Sequence, residues 1–201
     1  SHGMHVRRPD IAMDAQPVAA GSFKTVFRGT LRVHMPGEAS RNITVAVLKM
    51  RRGDCATEVR SFIKLGRHPR LVRFLGHCID GEDQLLLTEF APLGSLSEAF
   101  ETWEDTITLA HHITMMQQIT QGMEHLIAEG LIHRDLAARN VLVFSYDAAN
   151  VLKTSVKVTD YGLSAASYNR SHVTLAGRDA PVRYMPPEAL QRGRFSEKSD
   201  V

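Results

Sequence analysis

Segments rich in β-branched residues alternate with turn signals over the first part of the chain. Ser22 to Val33 and Asn42 to Met50 are strand-like, and the Pro36-Gly37 dipeptide between them is typical of a turn. Leu71 to His77 and Gln84 to Thr88 repeat the strand-like pattern. The first part of the chain is therefore predicted to consist mainly of β-strands.

Helical spacing dominates later in the chain. Asp54 to Gly66 is a short helical candidate, and a longer helix is predicted from Ile107 to Glu129, where Gly130 ends it. Its apolar residues recur every three or four positions and are Ile113, Met116, Ile119, Met123, Leu126 and Ile127. A β-rich first part and an α-rich second part predict an α+β protein of two lobes, with a hinge at residues 89–94.

Composition excludes several classes of protein. The 201 residues are 43% hydrophobic and 23% charged, with a net charge of +2, which is atypical of disordered or collagen-like chains. This charge gives no reason to expect a nucleic-acid partner, and no apolar run reaches the ~18–20 residues of a membrane-spanning helix. Two cysteines, Cys55 and Cys78, are too few for a disulfide scaffold and favour a reducing compartment.

One loop carries the strongest chemical signal. The string from His133 to Asn140 reads HRDLAARN, Asp160-Tyr161-Gly162 follows, and Pro187-Glu188 comes later. These motifs, in this order, resemble those of the protein kinases. The resemblance implies transfer of the γ-phosphate of ATP with Mg²⁺ as cofactor. Asp135 would then accept the proton of the substrate hydroxyl, and Asn140 and Asp160 offer the hard oxygen ligands that Mg²⁺ prefers.

The same loop bears on which hydroxyl receives the phosphate. Serine/threonine kinases usually carry lysine at the position of Ala137, whereas Ala137 and Arg139 match the tyrosine-kinase string. Residues 181–188, PVRYMPPE, also resemble the tyrosine-kinase substrate loop, although Tyr184 and Pro186 depart from it. The resemblance implies a tyrosine kinase in which Arg139 supports substrate placement.

The source of the phosphate-binding lysine stays open. In the kinase glycine loop only Gly21 is retained, between Ala19 and Val26. If Val47 covers the adenine, Lys49 is the lysine of strand three, and this interpretation is favoured because valine is an acceptable apolar roof. If Ala46 covers it instead, leucine stands at the lysine position. The loop GSFKTV is similar to that of the with-no-lysine kinases, which makes Lys24 the alternative cation.

Further positions follow from the resemblance. Glu58, in the short helix, is expected to pair with the phosphate-binding lysine. The string from Gln84 to Gly94 resembles a tyrosine-kinase hinge, in which Thr88 is the gatekeeper and the backbones of Glu89 and Ala91 bind the adenine edge. The aliphatic residues expected to enclose the adenine are Val18, Val26 and Leu142.

The sequence thus predicts a two-lobed kinase fold. Residues 1–4 resemble a cloning remnant, 5–88 form the first lobe, 89–94 the hinge, and 95–201 a second lobe that stops at the start of the family's central helix, where Asp200 is expected to brace the catalytic loop. Protein tyrosines are the expected substrates, and ATP-competitive inhibitors are expected to bind. The expected location is cytoplasmic, as a free enzyme or the intracellular domain of a receptor. The alternatives are a pseudokinase that binds nucleotide as a scaffold, and a serine/threonine-directed kinase.

Overall fold

The computed structural model describes residues 5–21, 24–35, 37–50, 56–160, 165–166, 173–174, 187, 194–195 and 197–200. In residues 56–58, 165–166, 173–174, 194–195 and 197–198 it describes the backbone alone. The chain divides into two compact units. The first comprises Ser1–Ile63 and Arg73–Ala91, and the second comprises Lys64–Val72 and Pro92–Val201.

An antiparallel five-stranded sheet forms most of the first unit. In sheet order the strands are β1 (Ile11–Ala20), β2 (Lys24–Val33), β3 (Arg41–Met50), β5 (Asp83–Glu89) and β4 (Phe74–Asp80). Helix α1 (Ala56–Leu65) follows β3 in the chain. Strand β1 was not predicted. The other strands agree with the predicted ones except before Phe74, because Leu71 instead forms an isolated bridge with Val158 in the second unit.

The two faces of this sheet differ in their packing. Alternate residues of a strand point to opposite faces, and residues directly opposite on neighbouring strands share a face. One face of β3 carries Val45 and Val47, both fully buried. They belong to an apolar cluster of the first unit whose buried members are Ile11, Leu31, Val45, Val47, Cys78, Leu85 and Leu87. The other face of β3 carries Ala46 and Leu48.

The second unit is built on two helices and a β-hairpin. Its helices are α2 (Leu96–Thr102) and α3 (Leu109–Ala128), and the hairpin strands β7 (Val141–Ser145) and β8 (Ser155–Val158) pair antiparallel. The remaining strands among the described residues are β6 (Leu131–Ile132), β9 (Ala165–Ala166), β10 (Val173–Thr174) and β11 (Arg194–Phe195). The 3₁₀ helices in the same ranges are Arg8–Asp10, Ala138–Asn140, Val151–Lys153 and Glu197–Asp200. The buried core of this unit comprises Leu96, Ala99, Met115, Val141, Val143 and Val156.

Helix α3 covers nearly the predicted residues and buries part of the predicted apolar face. Met123 and Leu126 are buried as expected, whereas Ile113 and Met116 are 49% and 66% exposed. Gln118 is also buried, and its side chain bonds the backbone of β8. A polar side chain with backbone partners thus takes a core position that apolar spacing alone does not predict. None of the helices in the described ranges is long and apolar enough to cross a membrane.

Candidate active site

The backbone of the HRD motif is fixed from two sides. His133 is fully buried, and its Nδ1 accepts the Asp135 N–H at 3.2 Å, so Nε2 carries the proton that it donates to Thr159 O at 2.8 Å. The carboxylate of Asp200 accepts the N–H groups of His133 and Arg134 at 2.6 and 2.7 Å. Arg134 has φ of 67°, a left-handed conformation that this bracing holds in place. The predicted brace by Asp200 is confirmed.

Both oxygens of the Asp135 carboxylate have partners. Arg139 Nη2 donates to Oδ1, and Asn140 Nδ2 donates to Oδ2 at 2.9 Å and to the Asp135 carbonyl at 2.8 Å. Burial raises the pKa of Asp135, and the nearby Asp160 charge raises it further, while Arg139 and Asn140 oppose the rise. The side chain is 13% exposed, so the carboxylate is sheltered yet reachable, as a general base must be.

The β7–β8 hairpin brings together Asn140 and Asp160, the two residues predicted as Mg²⁺ ligands. β7 begins directly after Asn140, β8 ends just before Asp160, and Val141 pairs with Val158. Thr159 N donates to Asn140 O at 2.9 Å, which places Asp160 beside the catalytic loop, with φ of 69°. The second unit therefore brings Asp135, Asn140 and Asp160 to one end of one hairpin.

The donor set at this end fits a magnesium ion. The amide nitrogen of Asn140 is directed at Asp135, so its oxygen is the atom that could serve as a metal ligand. In the part of the chain that the structure describes, no group of three or more His, Cys, Asp or Glu side chains could hold a metal ion by itself. One amide oxygen and one carboxylate suit Mg²⁺, which commonly takes its other ligands from substrate phosphates and water.

The lysines of the first unit lie on opposite faces of the sheet. Thr25 pairs with Lys49 and Lys24 with Met50, in an unbroken register along β2 and β3. Lys24 therefore shares a face with Leu48 and Ala46, whereas Lys49 shares the face of Val45 and Val47.

This register revises the interpretation that paired Val47 with Lys49. Val47 is fully buried in the apolar cluster of the first unit and cannot roof a nucleotide. Lys49 Nζ lies 2.5 Å from Asp83 Oδ2 on that same face, in an exposed ion pair. Asp83 was not among the predicted residues, although its alternation with Leu85 and Leu87 along β5 could have placed it near Lys49. Ala46 lies on the opposite face, directly between Arg28 and Thr88 in the register.

Two of the predicted hinge residues, Thr88 and Glu89, form hydrogen bonds within the first unit. Thr88 is buried, and its Oγ1 donates to Glu89 O at 3.3 Å. Glu89 N donates to Arg73 O at 2.9 Å, and Glu89 Oε1 accepts Arg73 N at 2.8 Å. Ala91 is buried. The Arg73 contacts therefore fix the end of β5.

Other predicted positions are distributed over both units. Val18 is 53% exposed on β1, and Val26 stands opposite Leu48 on β2. Gly21 N closes the turn before β2 by donating to Lys24 O at 2.9 Å. Leu142 lies on β7 in the second unit, opposite Lys157. The Glu58 side chain, Tyr161-Gly162 and residues 181–186 lie outside the described residues.

Comparison with known proteins identifies the family. The profile described as protein tyrosine and serine/threonine kinase matches residues 13–201. Tyrosine-protein kinase TXK of Mus musculus is 32% identical over 189 residues, which cover 92% of this chain and 33% of the relative. Tyrosine-protein kinase Btk of Drosophila melanogaster is 33% identical over 208 residues, which cover 100% of this chain and 24% of the relative.

A third relative gives the same result. Tyrosine-protein kinase ABL2 of Homo sapiens is 32% identical over 203 residues, which cover 98% of this chain and 16% of the relative. The chain thus spans about a third or less of the length of these relatives. Its matched region, its antiparallel first unit and its braced HRD loop agree with one another, and the chain belongs to the family of protein tyrosine and serine/threonine kinases.

Proposed function

We propose that this chain transfers the γ-phosphate of ATP to tyrosine hydroxyls of protein substrates. The observation that carries the proposal is the arrangement of Asp135, Asn140 and Asp160 at one end of the β7–β8 hairpin. A carboxylate held by two donors, beside two oxygen ligands, meets the needs of phosphoryl transfer, which are positioning and charge neutralisation.

Each residue of this arrangement has a distinct task. Asp135 orients the substrate hydroxyl and accepts its proton. Asn140 and Asp160 would hold Mg²⁺, which supplies neutralisation of the phosphate charge when it is bound. Arg139 keeps the Asp135 carboxylate in place through its guanidinium and is exposed enough, at 43%, to meet a substrate as well.

Tyrosine is the favoured acceptor for two reasons. Ala137 and Arg139 follow Asp135 as in tyrosine kinases, and the arginine reaches the base itself. The relatives described above are all named tyrosine-protein kinases. Protein substrates, ATP-competitive inhibitors and a cytoplasmic location belong to the same proposal.

We further propose that Lys24, and not Lys49, binds the phosphates of ATP. Lys24 stands two residues from Val26 on the face that also carries Ala46 and Leu48. Lys49 stands on the opposite face with Asp83. In this assignment Glu58 pairs with Lys24, so α1 serves the same phosphate clamp.

A pseudokinase remains the second candidate, and one observation favours it. Leu48 occupies the place where the register would put the strand-three lysine, and a site without a phosphate cation would bind nucleotide without turnover. The retained Asp135, Asn140 and Asp160 argue against this candidate because a pure scaffold has no need of all three.

A transfer assay separates these functions. The 201-residue chain is incubated with Mg²⁺ and γ-labelled ATP, with poly(Glu,Tyr) or a basic serine-containing protein as acceptor. We expect label on poly(Glu,Tyr), and a loss of about 10²–10⁴-fold in Asp135→Asn with nucleotide binding retained. Label on serine alone would instead assign a serine/threonine kinase. Nucleotide binding with no transfer to either acceptor would assign the pseudokinase.

A further inference from the structure

The C-terminal ends of α1 and α3 cap each other within the second unit. Lys64 Nζ donates to Glu129 O at the end of α3, and His125 Nε2 donates to Leu65 O, the last residue of α1, at 2.9 Å. The last carbonyls of a helix have no partner inside it. Each helix therefore supplies the side chain that satisfies the end of the other, and His125 must carry its proton on Nε2 to do so.

A second histidine lies flat against this contact. The ring centroids of His68 and His125 are 4.6 Å apart, with 8° between the ring planes. His68 Nδ1 accepts the Arg70 N–H at 3.3 Å, and the Arg70 side chain is tied to Gln121 of α3 at 3.2 Å. The stack thus joins the connection after α1 to the last turn of α3.

We call this contact, in which Lys64, Leu65 and His68 meet His125 and Glu129, the joint. Two charged groups of the described chain, Arg70 from the connection and His125 from α3, act on His68, and positive charge on either opposes its protonation. Burial lowers the pKa of His68, and positive charge on His125 and Arg70 lowers it further. Neutral His68 is thus favoured in the folded chain, and this stabilisation is complete above the ordinary histidine pKa of about 6.5 and is lost as the pH falls through the lower folded-state value.

We propose that His125 is a positioning residue for helix α1 and that its stack with His68 makes this positioning dependent on pH. When the pH falls, protonation of His68 brings a positive charge into the stack, the rings separate, and the Leu65 end of α1 loosens. This inference rests on the proposed function in one respect, which is that Glu58, about two turns before Leu65 on α1, serves the phosphate clamp.

The joint itself is tested by hydrogen exchange on the 201-residue chain. Amide protection of residues 60–66 is compared at pH 7.5 and 5.5, after correction for the intrinsic exchange rates. We expect protection in the unsubstituted chain to fall about fivefold or more at the lower pH, equivalent to roughly 1 kcal/mol. His68→Phe keeps a flat ring without a charge, and its protection should change less than about twofold over the same interval.

Control variants separate the joint from general effects of histidine. His112 lies on the same helix and stacks on Phe100 at 5.4 Å, so His112→Phe should leave the pH response of residues 60–66 unchanged. His125→Gln retains an N–H donor but no ring, and it should remove the pH response while preserving most of the protection at pH 7.5. Ring titration of His68 by NMR in the unsubstituted chain needs no variant and should give a midpoint below that of a free histidine.

The outcomes distinguish the joint from the function. Two results would contradict the proposed pH dependence of the joint. One is amide protection that does not change with pH in the unsubstituted chain, and the other is an unchanged pH response in His68→Phe. If the joint behaves as expected, the acid limb of the pH profile of phosphotransfer activity should move to lower pH in His68→Phe. An acid limb at the same pH in this variant overturns the positioning role. Absence of phosphotransfer at every pH overturns the proposed function alone, because the exchange result stands without it.

Discussion

The catalytic loop of the second unit and the lysine-bearing strands of the first unit carry their chemistry in different ways. In the loop, Asp135 and its partners Arg139 and Asn140 lie within one short stretch, and their identities alone locate them. In the strands, the role of Lys24 or Lys49 depends on which face of the sheet the side chain occupies. Residue identity alone therefore predicts a functional role in the loop but not in the strands.

Strand geometry explains this difference. Because successive side chains point to opposite faces, a shift of one residue moves a lysine from one face of the sheet to the other. A shift of one residue within a loop instead changes the spacing between the motif residues, and that spacing can be read directly from the sequence. Assignments in strands consequently need the register, and here the pairing of Lys24 with Met50 supplies it.

The largest expected effect tests the two lysines directly. Lys24→Ala should lower kcat/KM for ATP by about 100-fold, since it removes a cation from the phosphates, while Lys49→Ala should stay within about threefold. Lys49 is expected to matter little because its pair with Asp83 is 40% exposed on both sides and such pairs contribute little. Steady-state kinetics with varied ATP measures both variants.

A rescue variant sharpens the same test. Leu48→Lys places an ammonium group on the face of Ala46, and in the Lys24→Ala background it should restore activity by about tenfold. A matched Val47→Lys substitution puts the charge on the buried face and should not rescue. A loss in Lys49→Ala together with full activity in Lys24→Ala would contradict the assignment and return the role to Lys49.

The next effect concerns the bracing of the catalytic loop. Asp200→Asn leaves one oxygen to accept a loop N–H and turns a donor towards the other, so one buried N–H loses its partner. We expect the free energy of unfolding to fall by about 1–3 kcal/mol, measured by urea denaturation. Asp80→Asn, in a pair with Arg8 that is about 40% exposed on both sides, should cost less than about 1 kcal/mol. Equal losses in the two variants would argue against the brace.

Much of the second unit followed from the sequence because its motifs are local. The role of Asp200 was predicted from its place in a motif, and two hydrogen bonds to the loop confirm it. The bounds of α3 were predicted closely, since periodic apolar residues and Gly130 mark them. Its buried face was predicted only in part, because Gln118 is buried through hydrogen bonds with Thr154 O and Val156 N, which are distant in sequence.

The first unit shows the corresponding limit. The strands were predicted from β-branched residues, yet the burial of Val47 depends on contacts with other strands and not on its own neighbours. The joint of His68 and His125 was missed for a similar reason, because the two rings come from segments far apart in the chain. Long-range pairing of this kind has no signal in local spacing.

The smallest expected effect concerns how Arg139 sets the acidity of the base. Burial raises the pKa of Asp135, and the Arg139 charge opposes that rise. In a His68→Phe background, where His68 no longer contributes to the acid limb, Arg139→Gln should therefore raise the pKa of Asp135 further and move the acid limb of the kcat/KM profile to higher pH, because the base must be ionised to accept a proton. Arg139→Lys keeps a positive charge and should move the limb less. A limb that moves to lower pH in Arg139→Gln would mean that a group other than Asp135 controls it. The chemistry of the loop could then not be read from its local residues alone.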